Sequence, residues 1–145
     1  LGWAKPVPVN TANLRGNWRE KFMLIAAAGP ASNLLLAVGA AVMLRLLVAG
    51  VELRGGLDEA GVVQPVAFLL LQMVSLNVML AVFNMVPVPP LDGGNVLMGV
   101  VPWQAARWIN WLRPYGFFII YALMLSGVLS ALMRPVQGFL LSLLL

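Results

Sequence analysis

An all-α polytopic membrane protein, with about three transmembrane helices and a short interfacial helix, is the fold class that three observations predict. The 145 residues are 61% hydrophobic and 10% charged, against about 25% charged in an ordinary soluble domain. Three apolar runs, 22–49, 62–86 and 116–133, reach or approach the roughly 20 residues that cross a bilayer as a helix. Polar residues are concentrated between these runs. Residues 1–145 therefore form a single membrane-embedded domain with no room for a large extramembrane one.

The leading segment, 1–18, differs from the rest. Lys5, Pro6, Val7, Pro8 and Val9 alternate proline with valine, which imposes an extended backbone and confines it to an edge strand or a polyproline stretch. An edge strand at the membrane surface can pair with a second chain; a plain extended linker is the other reading. Lys5, Arg15, Arg19 and Lys21 account for four of the nine basic residues in a chain of net charge +4. Flanking the first apolar run, they mark a cytoplasmic end under the positive-inside rule, and nucleic acid is discounted as a partner. Leu1 in place of Met reads as a cut end.

Phe22 to Ala49 is apolar apart from Arg45, whose long side chain can snorkel to the headgroups. Its basic end carries the small residues Ala26, Ala27, Ala28, Gly29, Pro30, Ala31 and Ser32, followed by Asn33. Such a run suits close helix packing, with Asn33 as a packing hydrogen bond. Gly50 to Gly61 is a polar turn placed outside the cell. Val62 to Val86 returns across the membrane.

The second run ends in FNMVPVPPLDGGN, residues 83–95. Pro87, Pro89 and Pro90 stop the helix, and unwound backbone at membrane depth survives only inside protein or beside a water-filled cavity. Asp92 follows, with Gly93 and Gly94 behind it. An ionisable group beside an apolar core is a candidate functional residue; the alternative makes Asp92 the N-cap of a helix from Gly93 to Val100. Asn84 either faces the cavity as a donor or pins one helix to another. Pro102 to Pro114 carries Trp103, Trp108 and Trp111 with Arg107 and Arg113, a composition for a helix lying among lipid headgroups. Gly116 to Met133 is the third span, ended or kinked by Arg134 and Pro135.

Three stretches resemble the site-2 protease family of intramembrane zinc metalloproteases: residues 2–10; residues 28–33, which open a long apolar helix; and residues 83–94. The resemblance, in the family's order, runs from Leu1 to about Val100. It implies a metal role for Asp92, the aspartate of the Leu-Asp-Gly motif, which with two histidines of a His-Glu-x-x-His helix binds Zn2+. It implies that Asn84 contacts the substrate backbone or the reacting carbonyl, and that Lys5, Pro6, Val7, Pro8 and Val9 form a surface strand holding an unfolded transmembrane substrate. Gly29, Pro30, Asn33, Pro89, Pro90, Gly93 and Gly94 are motif positions with a structural part.

The chain departs from that pattern in having no histidine and no cysteine. The two histidines and the glutamate base are therefore expected upstream of Leu1, with a natural inactive relative as the alternative. The 145 residues alone are expected to bind no stoichiometric zinc and to be inactive. The resemblance further implies a multi-pass protein of the cell membrane, partnered by a transmembrane protein substrate and the lipid bilayer; the basic residues alone set the expected orientation, with Asp92 and the active site toward the cytoplasm. The short Gly50 to Gly61 turn leaves no space for the PDZ insert of some branches.

Overall fold

A computed structural model describes residues 18–53, 55 and 61–145. Helix α1 (Trp18–Leu53) and helix α2 (Val63–Asn84) are each long and apolar enough to cross a membrane. A short α3 (Asp92–Val100) and an α4 (Trp103–Leu112) follow; a 3-10 turn at Arg113–Tyr115 then leads into α5 (Gly116–Leu125) and α6 (Val128–Leu144). The described residues are all-α and contain no strand. The segment with Lys5 to Val9, expected to be extended, lies outside them, as do residues 54 and 56–60 of the expected Gly50 to Gly61 turn, whose first four residues belong to α1.

Small side chains on α1 let α2 approach. Ala37, Ala40 and Ala41 meet Leu70, Val74 and Val78, with Leu140, Leu141 and Leu144 of α6 closing the cluster. The spacing of three and four residues on both helices places each set on one face. Alanine offers little area for burial, so this contact works through close backbone approach and dispersion, as expected in lipid. Large apolar side chains cover the outside, Leu35 and Phe117 being each 72% exposed. No polar residue is buried among the described residues.

Val86, from the proline segment, is buried against Leu129 and Met133 at the start of α6. The far end of α6 reaches the α1–α2 cluster, so α6 runs antiparallel to α2. Val86 and Pro89 thereby anchor the proline segment in protein, while Pro87 and Pro90 stay exposed; unwound backbone in an apolar setting needs such packing or a water-filled cavity beside it.

The third apolar run departs from the single span expected at Gly116–Met133. The helix breaks at Ser126 and Gly127, and the segments Trp103–Leu125 and Val128–Leu144 are bent by 77°. Gly127 adopts a left-handed φ of 75°, the conformation that terminates helices and that glycine takes without a Cβ penalty. Nor does Pro135 end the run: α6 continues through it to Leu144. Proline inside apolar helices is tolerated where neighbours compensate the lost N–H. The described residues thus provide two span-length helices, and a third if the bent pair counts as one.

Candidate functional site

The chain between α2 and α3 turns tightly. Val88 N–H donates to the Val86 carbonyl at 2.8 Å, Leu91 N–H to Val88 at 3.0 Å and Gly94 N–H to Leu91 at 3.0 Å. These bonds satisfy backbone groups that the prolines prevent from joining a helix. The Pro89–Pro90 peptide is cis.

Three glycines let other backbone close on this turn. A Cβ on Gly94 would stand 2.6 Å from the Pro89 nitrogen, and one on Gly93 would overlap the Met85 carbonyl. Gly116, the first residue of α5, lies so near the Pro89 carbonyl that a Cβ there would overlap its oxygen. Pro89, Gly93, Gly94 and Gly116 are all buried. Glycine at these positions is a requirement of close approach rather than of φ.

Asp92 is the first residue of α3, whose N-cap is Leu91 with no side-chain cap hydrogen bond. The reading of Asp92 as N-cap therefore does not hold: its carboxylate sits one residue inside the helix. The helix dipole favours an anion in that first turn. Among the described residues the carboxylate takes part in no hydrogen bond or ion pair. Partial burial pushes its pKa above the usual 3.8 through desolvation. An unneutralised, half-buried carboxylate is a donor available to a cation.

Its neighbour across the site is Gly29. A Cβ built there would stand 2.9 Å from Asp92 Oδ2 and 3.9 Å from its Cγ. The small run of α1 thus packs on α3: Ala26 and Pro30 are buried, and Gly29 leaves space for the carboxylate. Asn33 makes no side-chain hydrogen bond among the described residues, so the packing bond expected of it is not formed there. Asn84 is the last residue of α2, half-buried, and likewise without a side-chain partner among the described residues.

Beside the site an apolar cleft of about 310 Å³ lies between α1, α2 and α6, with Pro30, Met85, Val86, Pro87 and Met133 among its walls. Pro30 adjoins Gly29, so the cleft begins one residue from the Asp92 contact.

Two residues outside the sequence-based set complete the frame. Arg19 Nη2 donates to the carbonyls of Met98 and Val101, at the end of α3. Arg113 Nη2 donates to Asn95 Oδ1 at 2.7 Å. In the sequence Arg19 reads as a flanking basic residue and Arg113 as part of the headgroup-level helix; neither carries a local signal of its partner.

Among the described residues no three His, Cys, Asp or Glu side chains gather as a metal site. The Asp92 carboxylate has the chemistry of one oxygen ligand for a zinc ion.

The sequence matches Peptidase family M50 over residues 48–127. It is 30% identical over 140 residues to a Bacillus subtilis (strain 168) protein named as a candidate zinc metalloprotease, YwhC. The alignment covers 93% of this chain and 59% of that protein, so the chain spans about three-fifths of its relative's length. No solved structure matches.

Proposed function

Because the chain belongs to Peptidase family M50, we propose that it is part of an intramembrane zinc metalloprotease that hydrolyses peptide bonds within transmembrane substrates. The observation that carries this reading is the Asp92 carboxylate, held against Gly29 on the first turn of α3 with neither a cap nor an ion pair to occupy it. Asp92 would be one metal ligand. Since the 145 residues have no His or Cys, the remaining nitrogen ligands and a general base come, in this reading, from residues beyond them.

Asp92 would help hold a zinc ion, which when bound would supply Lewis-acid chemistry for peptide hydrolysis. This chain's own residues do three other things. The glycine-lined turn fixes the backbone that carries Asp92. Asn84, at the end of α2, offers an amide to the substrate. Pro30, Met85, Val86 and Met133 line an apolar cleft that begins one residue from the Gly29–Asp92 contact, and an apolar wall there would strengthen electrostatic interactions of the carboxylate. Residues Lys5, Pro6, Val7, Pro8 and Val9 would hold the substrate by strand addition. The protein would lie in the cell membrane as a multi-pass protein, with the site toward the cytoplasm.

The histidine-free composition favours one competitor, a non-catalytic membrane relative that binds transmembrane partners. Substitution in the complete protein separates the two. Asp92→Asn and Asp92→Ala should abolish cleavage of a transmembrane substrate and lower zinc content, with the folded yield preserved. Cleavage at the unsubstituted rate removes Asp92 from the metal shell. Absence of both cleavage and zinc in the unsubstituted complete protein supports the binding relative.

A further inference from the structure

Helix α3 has only nine residues, and a helix that short is marginal without outside support. Its last carbonyls also lack intrahelical partners. Both deficits are met from α1. A Cβ on Gly99 would stand 2.6 Å from the Met23 Cβ and 3.3 Å from the Arg19 carbonyl oxygen, while one on Gly29 would stand 2.9 Å from Asp92 Oδ2. The two helices are therefore in close contact and antiparallel, with Arg19, Met23, Ala26, Gly29 and Pro30 along one face of α1.

At the far end of this contact the half-buried Arg19 guanidinium bonds the carbonyls of Met98 and Val101. A cation at a helix C-terminus is favoured by the dipole, and charged donors make the stronger hydrogen bonds. Gly29 contacts α3 without gripping it, since it has no side chain. Arg19 is a polar clamp between α1 and α3.

We propose that Arg19 is a positioning residue for the site: by clamping the C-terminal end of α3 to α1 it fixes where the Asp92 carboxylate at the other end is presented. The inference rests on the reading of Asp92 as a zinc ligand. With the clamp removed, the C-terminal end of α3 can pivot against α1 about the turn that holds its first residues, which re-aims the Asp92 carboxylate. A displacement of about 1 Å at a reacting group is enough to cost on the order of 100-fold in rate.

The test uses the complete protein carrying Arg19→Ala, Arg19→Lys or Asp92→Ala. Three quantities are measured: zinc affinity by chelator competition, amide hydrogen exchange of α3 in the metal-free protein, and kcat and KM for a transmembrane substrate. Arg19→Ala should weaken zinc binding roughly 10- to 100-fold, the range seen when groups that orient a ligand are removed. It should also speed exchange in α3 more than in α1 or α2, and lower kcat with KM held. Arg19→Lys, which keeps the charge but not the paired donors, should fall between and carries the test if Arg19→Ala fails to fold. Unchanged zinc affinity and α3 exchange in the folded Arg19 variants overturn the proposal, even if overall stability drops. Should Asp92→Ala retain full zinc affinity, the underlying reading falls and the proposal with it; zinc lost in Asp92→Ala but kept in the Arg19 variants overturns Arg19 alone.

Discussion

Asp92 Oδ2 occupies space that a side chain on Gly29 would need: a Cβ there would stand 2.9 Å from the oxygen. A side chain at position 29 of α1 and the site carboxylate in its present place are thus mutually exclusive. Gly29→Ala would force the carboxylate to swing aside, which costs little because a side-chain end moves rather than backbone. The α1 helix itself should gain up to about 1 kcal/mol from the better helix former. The expected outcome separates stability from function: thermal stability unchanged or raised, zinc affinity and cleavage lowered roughly 10-fold or more. Parallel melting curves and chelator competition on the complete protein check it, and unchanged zinc affinity would place the carboxylate's working position elsewhere.

Gly116 poses the opposite case, because its obstacle is the backbone carbonyl of Pro89 rather than a mobile side-chain tip. Gly116→Ala must shift either α5 or the proline turn, and overpacking of that kind costs about 1 to 3 kcal/mol. Gly39, on α1, would meet nothing within 4 Å, so Gly39→Ala should be neutral or slightly stabilising. The pair makes an internally controlled measurement by thermal or denaturant unfolding in detergent. Equal losses in both variants would show that Gly116 does not brace the turn.

Much of the fold was legible because its causes are local. The apolar runs 22–49 and 62–86 correspond to α1 and α2, and Pro87, Pro89 and Pro90 end α2 as their missing N–H groups demand. The third run misled for an equally physical reason. Continuous hydrophobicity says nothing about direction, and the single left-handed residue Gly127 turns the chain where composition does not change. Pro135, read as a stop or a kink, does not end the helix, since α6 continues through it. At the site, Asp92, Gly93 and Gly94 stood out in sequence, but the partners that hold them did not. Arg19 with Met98, Gly29 with Asp92 and Gly116 with Pro89 are long-range pairs, and no local pattern encodes which glycine faces which obstacle.

Asn84 gives the sharpest test of chemistry against architecture. It ends α2 immediately before the turn that leads to Asp92, and its amide has no partner among the described residues. Truncating a hydrogen-bonded amide would leave an orphaned group and cost stability; here there is none to orphan, so Asn84→Ala should fold with stability within about 0.5 kcal/mol of the parent. If the amide meets the reacting carbonyl of the substrate, its loss should lower kcat on the order of 100-fold, as removal of one such donor does elsewhere. Zinc content should not change, because Asn84 is not a ligand in this reading. Steady-state cleavage assays and metal analysis on the same preparation decide it: a fall in zinc, or in melting temperature, would make Asn84 a structural residue, and full activity would remove it from the site.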